Sequence, residues 1–206
     1  MSSVEKFNAS ELLFMEDEQN WYAVMEGAHP HFNIRELIYR HAVNPEWVAI
    51  YQCEPYEGIA GVSPVLVKLD QPRDWLDFWL AEFPALSGSL LRSEHSIETV
   101  VAHLRTLVSA RVEGGVESIF RFHDSWISSA LYPALDDAER AMFNGPVRQW
   151  LWIVDQEAFL TAAEGTDVMR WDAQAQSEGW LELCDNRQNI INKSLMSKRN
   201  WKETYW

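Results

Sequence analysis

The apolar positions along the chain follow two periods, one typical of strands and one typical of helices. Residues 21–25 form a short apolar run that predicts a strand. Pro30 suits the first turn of the next helix, whose apolar face contains Ile34, Leu37 and Ile38. Further strands are predicted at residues 47–51, 64–69, 86–91, 110–113, 116–122 and 147–154. Because helical patterns separate several of these runs, the chain predicts an α/β (α+β) fold, a mixed sheet with flanking helices.

Two helices are predicted in the middle of the chain. Pro72 begins the first, and Pro84 ends it. Ser96 is the predicted N-cap of the second. The apolar residues of this second helix recur at helical spacing: Ile97, Val100, Val101, Leu104, Leu107 and Val108. His95 and His103 lie two turns apart, about 12 Å at about 1.5 Å per residue, so they are too distant to share a metal ion and are assigned to a solvated helix face.

A hairpin is predicted at the Gly114-Gly115 pair, since glycine readily takes the positive φ angles of a two-residue turn. In the second strand of this hairpin, alternation places Phe122 on the core face. Arg121 and His123 then point to the opposite face, away from Phe122.

The residues after this strand carry several helix boundaries. Asp124 is placed to accept the free N–H groups of a helix that closes before Pro133. Asp136 and Glu139 have the spacing of a capping box at the start of the next helix. Residues 144–146, Asn-Gly-Pro, end that helix, since glycine adopts positive φ and proline cannot continue it. Local folding chemistry therefore explains most of this segment.

The composition becomes more polar after residue 154, which predicts two lobes. Residues 1–154 form the α/β lobe, and residues 155–206 form a smaller, mostly helical one. Residues 185–206 predict a locally basic helix with Ile191, Leu195 and Met196 on one side.

Composition limits the classes of function. The chain has 206 residues, 47% of them apolar, which is enough for a core. Its 31 acidic and 17 basic residues give a net charge of -14, which argues against a nucleic-acid surface. The first 20 residues lack the features of a signal peptide, and no run of about 18 apolar residues occurs. We therefore expect a cytoplasmic protein without a membrane span, with Cys53 and Cys184 as reduced thiols.

Two sets of residues are candidates for chemistry. Arg121, His123 and Asp124 are close in sequence, but alternation and capping explain them without catalysis. His29 and His31 form an H-x-H pair that lacks a neighbouring third ligand. We therefore expect no catalytic residue, no metal ligand and no cofactor.

Aromatic residues of the second lobe are candidates for partner binding. Trp171, Trp180, Trp201, Tyr205 and Trp206 stand among polar residues, a pattern typical of amphipathic anchors at interfaces. Packing against the first lobe explains the same pattern, and the sequence does not choose between these alternatives.

The order of several motifs resembles one known family. "WYAVMEGA" and "GVSPVLVKLD" precede the segment "SIFRFHDSWISSALYPALDDAERAMFNGPVRQWLW". This order is similar to that of the cytoplasmic effector chaperones, or adaptors, of bacterial type VI secretion, over residues 21–154. In those proteins an Arg-Phe-aromatic-Asp sequence is followed by a helix, a Leu-Pro-x-Leu turn and a Phe-x-Gly-Pro-Val stop. The matching residues, for which we expect structural roles, are Arg121, Phe122, Asp124, Pro133, Gly145 and Pro146.

The resemblance implies a binding function. Such proteins hold a toxic effector and help to load it onto the VgrG spike of the secretion machine. The expected partners are therefore the N-terminal or membrane-inserting part of an effector, and VgrG. An adaptor of this kind is expected to expose an apolar groove or patch. Two alternatives stay open: an immunity protein that blocks a toxin, and a small hydrolase or metal enzyme.

Overall fold

Most of the chain is described by a computed structural model, which covers residues 4–8, 20–29, 33–69, 87–155, 157–161 and 180–205. The strands are β1 (Val4–Asn8), β2 (Asn20–Met25), β3 (Trp47–Ala49), β4 (Val65–Leu69), β5 (Ser89–Ser93), β6 (Ser109–Val112), β7 (Glu117–Ile119), β8 (Gln149–Val154), β9 (Glu157–Thr161) and β10 (Glu182–Leu183). The α-helices are α1 (Ile34–His41), α2 (Ile97–Thr106), α3 (Ser125–Leu131), α4 (Asp137–Asn144) and α5 (Asp185–Tyr205). Short 3-10 helices span Glu57–Val62 and Tyr132–Ala134.

Seven strands form the main sheet, in the order β1-β9-β8-β5-β2-β4-β3, with all neighbours antiparallel. Side chains of β2 alternate between its two faces. Tyr22 and Val24 enter the larger core under α2, α3 and α4, whereas Trp21, Ala23 and Met25 pack with α1 in a second core. Apolar residues therefore cover both faces of the sheet, which confirms the predicted mixed α/β class.

A second, three-stranded sheet has the order β10-β6-β7. Its β6–β7 hairpin turns at Gly114 and Gly115, with φ angles of 86° and 77°. β10 joins β6 in parallel and leads directly into α5, which packs against α3. The helix-rich end of the chain therefore lies against the first part. The division into lobes at residue 154 stays a prediction.

Several element boundaries and one helix cap differ from the sequence prediction. Helix α1 begins at Ile34 with Asn33 as its N-cap, rather than near Pro30, which lies outside the described residues. Ser96 occupies the N-cap of α2, but its side chain accepts no capping hydrogen bond. The strand predicted to reach residue 122 ends at Ile119. The predicted Pro72–Pro84 helix lies outside the described residues.

His103 is buried, so its assignment to a solvated helix face was wrong. Its Nε2–H donates to the carbonyl oxygen of Phe143 over 3.0 Å, which ties α2 to the end of α4. Gly145 follows α4 with a φ of 49°, and a Cβ atom at this position would lie 2.3–2.7 Å from the His103 ring. The predicted helix stop is therefore also a packing site for a buried imidazole.

Candidate functional site

A largely buried charge cluster includes the motif that first suggested chemistry. Its members, called the charge cluster below, come from the end of β2, the loop before α3, the N-cap of α3 and the middle of α5: Glu26, Arg121, His123, Asp124 and Lys198. The chain brings these side chains together from positions as far apart as 26 and 198.

The loop that carries the motif is a turn rather than a strand. The N–H of Asp124 donates to the carbonyl oxygen of Arg121 over 3.0 Å, which reverses the chain. His123 is consequently buried beside Phe122, with the two rings edge to face, and does not lie on an outer strand face as alternation predicts. Serine hydroxyls satisfy the loop carbonyls: Ser128 donates to Phe122 over 2.6 Å, and Ser89 donates to His123 over 3.0 Å.

Asp124 has the capping role predicted for it, together with a second role. Its Oδ1 accepts the N–H of Trp126 over 3.1 Å at the start of α3. Its Oδ2 accepts from the ammonium of Lys198 over 2.6 Å, and Nη2 of Arg121 lies 3.6 Å from the same oxygen. Both carboxylate oxygens are thus engaged within the fold, at a residue that is almost fully buried.

Glu26 lies on the other side of Arg121. Its Oε2 forms an ion pair with the Arg121 guanidinium and lies 3.4 Å from Nε2 of His123. Burial alone would raise the pKa of Glu26, but the hydrogen bond and charge of His123, the charge of Arg121 and the backbone of Ala28 together lower it to about 2. The fold therefore stabilises Glu26 as a carboxylate.

Lys198 fixes α5 on the body of the protein. Burial lowers the pKa of its ammonium, and the hydrogen-bonded carboxylate of Asp124 opposes that shift. One turn earlier, the Ser194 hydroxyl donates to the carbonyl oxygen of Trp126 over 2.6 Å. One turn later, the Trp201 ring packs against the Trp126 ring with centroids 6.2 Å apart. Polar groups therefore hold much of this interface.

Arg187 provides a second connection near the start of α5. Its guanidinium binds both carboxylate oxygens of Glu139, the capping-box residue of α4, and also reaches the carbonyl oxygens of Glu182 and Ala134. The capping box itself is formed as predicted, with Asp136 accepting from the N–H of Glu139 over 2.8 Å. Glu139 thus caps α4 and holds α5 at the same time.

Sequence reasoning found three of the five cluster residues and missed Glu26 and Lys198. Neither of these two belongs to a local motif. Glu26 follows a strand without any spacing signal, and Lys198 lies in a polar helix among other cations. The one available signal for Lys198 was its helical spacing from Ile191 and Ser194, at i+7 and i+4.

The aromatic residues proposed for partner binding have different positions. Trp180 is buried in the main core, 5.9 Å from Phe120 and 6.0 Å from Phe143 between ring centroids, so it packs within the chain. Trp201 is half-buried against α3. Trp171, Trp206 and the side chain of Tyr205 lie outside the described residues.

The remaining motif residues have structural surroundings. Phe122 is fully buried in the main core. Pro133 lies in the first turn of the 3-10 helix after α3, where no backbone donor is needed, and its carbonyl oxygen accepts from Arg140 over 3.1 Å. The carbonyl oxygen of Pro146 accepts from the Ser93 hydroxyl over 2.7 Å, which ties the stop after α4 to β5.

A family model described as a domain of unknown function, DUF4123, matches residues 21–142, more than half of the chain. The chain belongs to the DUF4123 family. The DUF4123 match contains four of the five charge-cluster residues, and Lys198 lies beyond it. No curated protein and no solved structure matches the chain significantly.

The DUF4123 protein uses the charge cluster to join segments that are distant in sequence. Four of the cluster's side chains are buried or nearly so, and both carboxylate oxygens of Asp124 accept hydrogen bonds within the fold. Within the described ranges no group of three or more His, Cys, Asp and Glu side chains is arranged to hold a metal ion. No helix of the described residues is long and apolar enough to cross a membrane. The H-x-H pair is described only at His29, since His31 lies outside these residues.

Glu26 makes the stability of the DUF4123 protein dependent on pH. Because its pKa is lower in the folded chain than in the unfolded one, the stabilisation is complete above about pH 5 and is lost as pH falls towards 2. A shift of this size corresponds to roughly 3 kcal/mol at about 1.4 kcal/mol per pH unit. We expect Glu26→Gln to lower the free energy of unfolding at pH 7 by up to that amount, and to lose less stability than the wild type between pH 5 and pH 2. Urea unfolding across this pH range measures both effects.

Glu36→Gln is the matched control, since it removes the same charge from an exposed ion pair with Arg40 inside α1. Exposed pairs of this kind contribute about 0.5 kcal/mol or less. If Glu26→Gln is as stable as Glu36→Gln at pH 7, the role assigned to Glu26 is wrong.

Proposed function

We propose that this protein is a cytoplasmic chaperone, or adaptor, which binds a type VI secretion effector and helps to load it onto the VgrG spike. The observation that carries the proposal is the ordered series of motifs between residues 119 and 150, which lies largely within the DUF4123 match and resembles that of such adaptors. In this proposal the exposed surface of the protein binds partners and does not catalyse a reaction.

The positions of the motif residues support this division of roles. Arg121, Asp124 and Gly145 each contact or pack against residues from other elements, so the motif holds the fold together. Binding then depends on the remaining surface. Large apolar side chains are exposed there: Tyr39, Val43, Val62, Val116, Ile119, Leu195 and Met196. Such side chains are suited to covering apolar surface of an effector before secretion.

Capture of native partners tests the proposal. The full chain is used as bait in the native bacterium, and retained proteins are identified by mass spectrometry. We expect one large effector, with or without VgrG, and we expect truncated effectors to be captured through their N-terminal or membrane-inserting part. Capture of neither protein, from cells shown to express both, overturns the proposal. Capture through the toxic domain alone favours an immunity protein instead.

A further inference from the structure

Positive charge is concentrated in α5. This helix contains five of the 17 Lys and Arg residues and two of the 31 Asp and Glu residues, so it carries a net charge of +3 while the rest of the chain carries -17. Inside the protein, Arg187 pairs with Glu139 and Lys198 pairs with Asp124. Lys193 and Arg199 are exposed, and Lys202 is partly exposed.

The internal contacts of α5 fix which side of the helix faces outward. Its inward contacts come from residues at spacings of about one turn: Arg187, Ile191, Ser194, Lys198 and Trp201. At 3.6 residues per turn, Lys193, Met196 and Arg199 lie on the opposite half of the helix. These three residues are called the outer face of α5 below. Met196 is 67% exposed, and Leu195, at the margin of this face, is 36% exposed.

This outer face combines a flexible apolar side chain with cations on either side. Methionine adapts its shape to different apolar partners, and Lys and Arg supply charge-assisted hydrogen bonds. At 0.15 M salt, charges are screened over about 8 Å. A short acidic segment bound to α5 therefore interacts mainly with the charges of that helix and only weakly with the acidic remainder of the protein. A membrane or a nucleic acid spreads its negative charge over a much wider area and would meet the acidic remainder of the protein.

We propose that the outer face of α5 is a docking surface for a short, acidic, amphipathic segment of a protein partner. This inference rests on the proposed function, which supplies the partner, an effector or VgrG. The Lys198–Asp124 pair then has a second consequence, since it sets the rotation of α5 and so directs Lys193 and Met196 outward. Recognition combines apolar contact at Met196 with attraction between acidic side chains and the exposed ammonium of Lys193.

Paired charge-reversal variants test the surface. Lys193→Glu/Met196→Glu changes the outer face, and Arg148→Glu/Ala138→Glu makes the same two kinds of change at exposed residues outside α5 that are not among the apolar side chains proposed for binding. Both are made in the full chain, and urea unfolding checks that each is folded. We expect the first variant to capture about one tenth as much effector or VgrG as the wild type, or less, a difference of about 1.4 kcal/mol in binding free energy. The second variant is expected to capture as much as the wild type.

Photo-cross-linking identifies the segment that is bound. The probe is p-benzoylphenylalanine, introduced as Met196→p-benzoylphenylalanine, with Ala138→p-benzoylphenylalanine as the control, and cross-linked peptides are sequenced by mass spectrometry. We expect position 196 to react with an acidic segment of the captured partner. Cross-links from position 196 only to a basic segment, to lipid or to nucleic acid overturn the inference, as does equal partner capture by both paired variants. If the wild-type chain captures neither effector nor VgrG, the proposed function fails instead.

Discussion

Replacing Asp124 with alanine is expected to destabilise the protein by about 3–5 kcal/mol. The substitution removes the N-cap of α3 and leaves the ammonium of Lys198 buried without its anion. An N-cap typically contributes about 1 kcal/mol, so most of the loss comes from the unpaired charge. Because small domains are stable by only about 5–15 kcal/mol, we expect a large decrease in the urea midpoint of Asp124→Ala.

Three further variants separate the two roles of Asp124. Asp124→Asn keeps an oxygen for the N–H of Trp126 but loses the charge, so it isolates the ion pair. Lys198→Met keeps an apolar stem of similar length and leaves Asp124 with its capping bond and Arg121. We expect the loss in free energy of unfolding of Asp124→Asn/Lys198→Met to be about 2 kcal/mol smaller than the sum of the losses of the two single variants. The reason is that neither charge is left unpaired in the double variant. Strict additivity, or a loss below about 1 kcal/mol for Asp124→Ala, contradicts this account.

Local signals made much of the fold predictable. The Gly114-Gly115 hairpin, the Asp124 cap, the Asp136–Glu139 capping box and the stop at Gly145 each depend on residues within about four positions of one another. In these cases the residues that determine the turn or the cap are close in sequence to the backbone groups that they affect. The type of element and its end could therefore be inferred without knowledge of tertiary structure.

The predictions that failed depended on tertiary contacts. Strand alternation predicted that His123 lies on an outer face. The strand instead ends at Ile119, and the His123 ring is buried beside Glu26. The apolar pattern of α5 grouped Leu195 and Met196 with Ile191 on one side. The structure instead buries Lys198, because a carboxylate 74 positions earlier compensates its charge. Hydrophobicity assigns the buried side of a helix only when apolar contacts hold that side, and polar contacts hold much of α5.

Replacing Gly145 with alanine is expected to destabilise the protein by about 2–6 kcal/mol, although it adds a single methyl group. The φ of 49° and ψ of -123° suit the first central position of a type II′ turn, which strongly favours glycine, and enforcing them on alanine costs about 1–3 kcal/mol. The added Cβ also lies within 2.7 Å of three ring atoms of His103, and relieving this overlap costs about 1–3 kcal/mol more. The ring cannot easily yield, since it is buried and donates to Phe143.

Gly115→Ala is the matched control for this substitution. Gly115 also has a positive φ, but a Cβ there meets no atom within 4 Å, so only the backbone strain of about 1–2 kcal/mol is expected. The difference between the two variants in urea unfolding therefore measures the overlap with His103. Adding His103→Ala to Gly145→Ala removes the ring, so the combined loss should be smaller than the sum of the two single losses. Equal losses for Gly145→Ala and Gly115→Ala would show that position 145 requires glycine only for its backbone conformation. The packing of the His103 ring would then not require the absence of a Cβ atom at residue 145.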